Sequence, residues 1–227
     1  MVSFAILPRV AFFIALLLTP VVLNFAIGRG WVDTPDHGQV GARKLHRLPI
    51  SRLGGVAIFA AYAISFVLLI NSPLNGARIL DHQLGLVARM APAVLLIFVV
   101  GLFDDIFGMR AWQKLVGQLA AAGAAHAAGV TLHAIGGYPL LGWAELPATL
   151  IWLVVMTNAI NVNDGMDGLA TGVGLFAALN MLTVELLAGN VPLARATVPL
   201  ARATVPLAGA LLGFPRYNFN PATSVIW

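Results

Sequence analysis

The chain has 227 residues, 59% of them hydrophobic and 10% charged, with a mean hydropathy of +0.89. A soluble domain carries about 25% charged residues, so this composition excludes an ordinary water-soluble globule and makes a bilayer the natural solvent. The net charge of +4 does not indicate a nucleic-acid partner, because the basic residues fill gaps between apolar runs without interleaved aromatics, and the absence of Cys excludes disulfide and thiolate-metal chemistry.

A spanning helix needs about 20 mostly apolar residues. The first candidate is Val10–Ile27, with Arg9 just before it. It ends in Asn24-Phe25-Ala26-Ile27-Gly28 without a small-x-small cleavage pattern, so it is read as a retained helix and not a signal peptide. The second span is Leu53–Ile70 and the third Ala88–Phe103. An Ala-rich fourth covers Leu115–Leu132, a fifth Leu146–Ile160 and a sixth Leu169–Leu187. The seventh, Thr197–Phe214, is interrupted by Pro206. The expected fold is all-α: a polytopic membrane helical bundle with about seven transmembrane helices, forming a single integral-membrane domain over residues 1–227. Trp31, Trp112, Trp143 and Trp152 are expected near span ends, as an aromatic belt.

Alternation of the spans puts segments 28–52, 104–114, 158–168 and 215–227 on one side. That side holds Arg29, Arg43, Lys44, Arg47, Arg52, Arg110, Lys114 and Arg216, which marks it as cytoplasmic. It also holds Asp33, Asp36, Asp104, Asp105, Asp164 and Asp167. Acids contribute little to topology, so their gathering at one face reads as a polar site. His126 and His133 fall toward the other side and read as interfacial or packing residues. Residues 191–197 are repeated without change as 198–204, which reads as a recent tandem duplication without catalytic meaning.

Three segments carry the chemistry. In Gly101-Leu-Phe-Asp104-Asp105, two adjacent carboxylates end an apolar span, with Lys114 and Gln118 following. Such a pair is costly unless a cation shares it; Mg²⁺ suits it, because it often bridges a carboxylate to substrate phosphates. By itself the motif is equally a solvated helix cap with a stray lysine. In the segment from Asn158 to Ala170, Asn158 and Asn161 share a helix face, and Asp164 and Asp167 repeat that spacing. Gly165 and Gly168 allow tight turns, and the amides and carboxylates suit a nucleotide or sugar. The alternative is an Asx-rich loop that caps helices. Last, Arg43, Lys44 and His46 precede the Gly54-Gly55 pair and together can neutralise a diphosphate; the alternative, ordinary positive-inside charge, explains the Arg and Lys but not His46 or the glycine pair.

Together these segments resemble the polyprenyl-phosphate N-acetylhexosamine-1-phosphate transferase family. The matching features are D-x-P at Asp33, R-K-x-H at Arg43 and G-G at Gly54 in the first loop, then G-x-x-D-D with Lys and Gln in the second. The third loop matches N-x-x-N-x-x-D-G-x-D-G-L-A, and Asn218-Phe-Asn220-Pro221-Ala222 resembles the start of a fourth. The R-K-x-H form looks more like the branch that transfers N-acetylglucosamine 1-phosphate than the phospho-N-acetylmuramoyl-pentapeptide branch. The stretch from Asp36 to Ala42 is longer than the family pattern has.

The resemblance implies transfer of N-acetylhexosamine 1-phosphate from a UDP-N-acetylhexosamine to undecaprenyl phosphate at the cytoplasmic face of a bacterial inner membrane. UMP leaves, and a cell-envelope glycan begins: O-antigen, common antigen, teichoic acid or similar. By the same resemblance Asp104 deprotonates or orients the lipid phosphate, and Asp104 and Asp105 hold Mg²⁺, with Mn²⁺ as an alternative. Lys114 contacts phosphate, Asn158, Asn161, Asp164 and Asp167 contact nucleotide or sugar, and Arg43, Lys44 and His46 line the phosphate entry. A homodimer is left open. After Ala222 the chain departs from the family, reading Thr-Ser-Val-Ile-Trp227 where a further metal-binding Asp, more spans and a His-rich loop are expected. The expectation is therefore a C-terminally truncated member, inactive or nearly so on its own. Two other readings are a transporter, which would place charges near mid-span, and a non-catalytic membrane scaffold.

Overall fold

The computed structural model describes residues 2–33, 50–51, 53–70, 76–164, 168–188 and 204–218. Its helices are α1 (Val2–Arg29), α2 (Gly54–Ile70), α3 (Gly76–Phe107), α4 (Ala111–Ala127), α5 (Gly142–Asn163) and α6 (Leu169–Ala188). They are followed by α7 (Thr204–Gly213) and a single-turn α8 (Pro215–Asn218). The fold is all-α and polytopic: Ile6–Arg29, Ala88–Phe107 and Gly142–Asn163 are each long and apolar enough to cross a bilayer. Gly54–Leu68, Leu169–Thr183 and Thr204–Gly213 are shorter apolar helices. Large side chains such as Leu17, Val67, Val99, Val155 and Phe176 stand exposed on these helices, as expected where lipid and not protein covers the surface.

Boundaries differ from expectation for local reasons. Hydropathy extends the fourth span to Leu132, but α4 stops at Ala127. Gly129 takes φ 106° there, and the Val130 N–H turns back to the Ala125 carbonyl at 3.0 Å, a glycine-terminated helix end. The α3 backbone begins at Gly76, well before the expected Ala88. The described part of the seventh span, Thr204–Gly213, is helical through Pro206, and residues 197–203 of that span lie outside the described residues. Trp152 lies mid-way along α5, not at a span end, whereas Trp112 and Trp143 stand exposed at the starts of α4 and α5. The duplicated segment lies outside the described residues except for Thr204.

Two compact units divide the chain: Met1–Leu80 with Asn163–Trp227, and Asp81–Val162. The first has a core of small residues: Ala11 and Ala15 of α1, Ile58 and Ala61 of α2, Ala170 of α6, and Ala210, Leu211 and Phe214 at α7. Gly209 and Gly213 form a G-x-x-x-G stripe that brings α7 against the α1 backbone at Pro8 and Phe12. A Cβ at Gly209 would clash with the Pro8 carbonyl oxygen and lie 2.6 Å from the Pro8 Cα. Pro20 has no N–H for the Leu16 carbonyl four residues earlier. The Tyr217 hydroxyl donates to that carbonyl at 3.0 Å and so repairs the ladder from outside the helix. Strands β1 (Val32–Asp33) and β2 (Ile50–Ser51) pair antiparallel and draw together the two ends of the first loop.

In the second unit, α4 and α5 are joined through a hairpin of β3 (Ala134–Ile135) and β4 (Tyr138–Pro139). Its turn residues, Gly136 and Gly137, have φ 59° and 88°, the double positive φ of a tight hairpin turn. At this end the Leu132 N–H donates to Thr149 Oγ1 at 2.9 Å, and His133 Nδ1 lies 3.0 Å from Glu145 Oε1. The opposite end of the unit carries the charged residues of the second loop.

Candidate active site

The site is built around the turn from α3 to α4. Gly108, at φ 69°, lets the chain leave α3. The Asp104 side chain then closes the turn: its Oδ1 accepts the Met109 N–H at 2.9 Å. Its Oδ2 receives Lys114 Nζ at 2.7 Å, with the Asp104 and Lys114 side chains 22% and 23% exposed. A carboxylate near a helix C-terminus and an ammonium near a helix N-terminus are each poorly placed relative to the helix dipole. Asp104 ends α3 and Lys114 begins α4, so pairing them offsets both misplacements. Gln113 Oε1 accepts the Arg110 N–H at 3.0 Å and fixes the start of α4. Gly117 allows α4 to approach α3, since a Cβ there would lie 2.6 Å from Val100 Cγ2. Asp105 is half-buried, one residue on from Asp104 in the last turn of α3.

One turn deeper, Gln118 meets Asn158. The Asn158 Nδ2 donates to Gln118 Oε1 at 2.8 Å, and the Gln118 Nε2 donates to Asn158 Oδ1 at 3.3 Å. The second Asn158 amide hydrogen goes to the Val154 carbonyl at 2.8 Å. This contact places the C-terminal part of α5, with half-buried Asn161, at the same end of the unit as the Asp104–Lys114 pair. The two expected segments, G-x-x-D-D and N-x-x-N, therefore come together within one unit.

Other expected residues belong to the first unit or lie outside the described residues. Asp164 belongs to the first unit and is 2% exposed. Gly168, at φ 75°, turns the chain into α6, as its place in the motif suggests. In the same unit buried Thr171 donates to Asn218 Oδ1 at 2.8 Å and joins the start of α6 to α8. The sequence reading does not single out Thr171, although a polar residue within an apolar run is a usable signal. Arg43, Lys44, His46 and Asp167 lie outside the described residues, as do Asn220, Pro221 and Ala222.

A multi-helix membrane protein with a carboxylate–lysine pair and an amide pair at one end of a helical unit has the charge and the hydrogen-bonding groups to handle phosphates. Residues 87–225 match Glycosyl transferase family 4, and the chain belongs to that family. It is 31% identical over 222 residues to a probable undecaprenyl-phosphate N-acetylglucosaminyl 1-phosphate transferase of Bacillus subtilis, covering 94% of this chain and 56% of the relative. It is 34% identical over 221 residues to a decaprenyl-phosphate N-acetylglucosaminephosphotransferase of Mycolicibacterium smegmatis, covering 91% and 53%. A phospho-N-acetylmuramoyl-pentapeptide-transferase of Clostridium kluyveri is 28% identical over 234 residues, covering 94% and 67%. The chain thus spans little more than half the length of the first two relatives.

Proposed function

We propose that this chain takes part in transferring N-acetylhexosamine 1-phosphate from a UDP-sugar to undecaprenyl phosphate, at the cytoplasmic face of a bacterial inner membrane. The observation that carries this reading is the Asp104–Lys114 pair at 2.7 Å, set at the end of an apolar helix long enough to span. Both named polyprenyl-phosphate relatives transfer an N-acetylglucosamine phosphate group, which favours UDP-N-acetylglucosamine as donor. The product would start a cell-envelope glycan.

In the reaction an oxygen of the lipid phosphate attacks the β-phosphorus of the UDP-sugar. A new P–O–P bond forms, the bond between the β-phosphorus and the bridging oxygen breaks, and UMP leaves with that oxygen. Such transfers depend on positioning and on charge stabilisation more than on covalent help. An ammonium has three N–H donors, and one from Lys114 is on Asp104. The others can turn to a phosphate oxygen, so an arriving phosphate competes with Asp104 for the same cation. Asp104, released from Lys114 but still held by the Met109 N–H, is then placed to orient the lipid phosphate. Asn161 is placed to reach nucleotide or sugar from the same end of the unit.

Asp104 and Asp105 offer only hard oxygen donors, which fit Mg²⁺ or Mn²⁺; one or two carboxylates plus substrate phosphates is a common Mg²⁺ arrangement. Asp104 and Asp105 would hold the cation. Substrate phosphates would supply further oxygen ligands. When bound, the cation would neutralise charge building on the diphosphate.

The test uses the 227-residue chain in detergent or nanodiscs, with undecaprenyl phosphate and radiolabelled UDP-N-acetylglucosamine. The expected result is Mg²⁺-dependent label in the lipid phase, with UMP released in equal amount, an outcome that would replace the expectation of an inactive chain drawn from the departure after Ala222. Absence of both products at every Mg²⁺ and Mn²⁺ concentration, from protein that is monodisperse, would overturn the proposal for this chain.

A further inference from the structure

Gln118 is 3% exposed, and a primary amide in an apolar surrounding is costly unless its donors and acceptor are met. Its partner is an amide of the same type on another helix, in a two-way exchange of hydrogen bonds at 2.8 and 3.3 Å. Asn158 has two amide hydrogens, and both are taken, by Gln118 and by the Val154 carbonyl. The Val154 carbonyl also fixes the amide's orientation, because only the nitrogen end can face it. Asn158 therefore has its donor capacity used inside the protein, which does not suit a residue that must bind substrate.

Position gives the pair another role. Lys114 lies four residues before Gln118 on α4, and Asn161 three residues after Asn158 on α5. These spacings put Lys114 on the same helix face as Gln118, about 6 Å further along, and Asn161 on the same face as Asn158, about 4.5 Å along. The two helices run in opposite directions, as the contacts Gln118–Asn158 and Leu132–Thr149 require. Both steps therefore lead toward the same end of the unit.

We propose that Gln118 and Asn158 are positioning residues: their amide clasp sets the register of α4 against α5 and so holds Lys114 and Asn161 side by side for a sugar nucleotide. The clasp matters for catalysis only if the transfer reaction proposed above is correct. Apolar side chains at the same positions would leave the helices able to slide or rotate, because non-directional contacts do not select one register.

The chain has no Cys, so labels can be placed without removing native thiols. Leu115 and Val162 are exposed on α4 and α5 and are converted to Cys and spin-labelled in the full chain. Pulsed electron resonance is expected to give one narrow distance distribution. Gln118→Met and Asn158→Leu, each similar in shape to the original side chain, are expected to broaden or shift it. The exchange Gln118→Asn with Asn158→Gln keeps both amides and is expected to restore it. Unchanged distances in both single variants, or no restoration in the exchange variant, would overturn the clasp.

Kinetics separate positioning from substrate contact. A clasp predicts that Gln118→Met, Asn158→Leu and the double variant lose kcat to the same extent, by up to about 100-fold, with KM for the UDP-sugar little changed. Equal losses in singles and double are the mark of two residues acting as one unit. A raised KM in Asn158→Leu alone would show direct substrate contact and overturn the proposal. If the unsubstituted chain transfers nothing, the functional reading fails, while the distance measurements still decide on the clasp.

Discussion

The two units use polar groups differently. In the first, several described hydrogen bonds serve a helix backbone or join helices. Tyr217 donates to the carbonyl that Pro20 leaves open, Thr19 Oγ1 donates back to the Ala15 carbonyl at 2.6 Å, and Thr171 ties α6 to α8. In the second, side chains pair with side chains: at one end a carboxylate with an ammonium and an amide with an amide, at the other His133 with Glu145. A bilayer penalises every open polar group, so both patterns are stable only with partners. They differ in what the partner is. A backbone carbonyl cannot be exchanged for a substrate, whereas an ammonium on a carboxylate can move to a phosphate. The Asp104–Lys114 end of the second unit therefore reads as chemistry, and the described α1, α2, α7 and α8 contacts of the first as scaffold.

The largest effect should come from breaking the chemical side. Asp104→Asn keeps an oxygen for the Met109 N–H but removes the charge that Lys114 meets. Lipid-linked label should fall by about 100- to 1,000-fold, with thermal stability nearly unchanged. A loss of stability matching the loss of activity would move Asp104 into the scaffold and collapse the distinction between the units.

A smaller effect should come from the scaffold. Gly209→Leu must push α7 away from Pro8, since even a Cβ there meets the α1 backbone. The expected destabilisation is about 1–3 kcal/mol, the range for overpacking, measured as a lower unfolding temperature in detergent. Surviving folded protein should keep its specific transfer activity. Unaltered unfolding would mean that α7 does not approach α1 this closely.

Much of this frame is legible in the sequence, for reasons that single residues illustrate. Apolar runs announce the helices: each of the seven expected spans overlaps a described helix, three of them long and apolar enough to cross a bilayer, and residues 197–203 of the seventh lie outside the described residues. Helix ends are less legible. Gly129 ends α4 before Leu132, and the Gly136-Gly137 hairpin escapes a reading by hydropathy although that dipeptide is a recognised turn signal. Within the site, spacing points to Asp104, Lys114 and Asn161. It cannot show that Asn158 faces Gln118, forty residues away, because a helix-face argument names a face and not its partner. Nor can it show that Pro20 needs Tyr217, which lies far along the chain from α1.

That last contact gives the smallest and most local test. Tyr217→Phe removes the hydroxyl that donates to the Leu16 carbonyl and leaves the ring in place. The expected cost is about 1 kcal/mol, in line with hydrogen bonds measured inside membranes. If the Tyr217 hydroxyl substitutes for a missing helical N–H, then Pro20→Ala, which supplies that N–H, should make Tyr217→Phe nearly neutral. The cycle of both single variants and the double, followed by unfolding in detergent, measures that coupling. A cost for Tyr217→Phe that is the same with and without the Pro20→Ala change would mean the hydroxyl acts through some other neighbour. A coupling near the full cost would show that the Tyr217 hydroxyl serves the α1 backbone, a structural contact unlike the ion pair of Asp104 and Lys114.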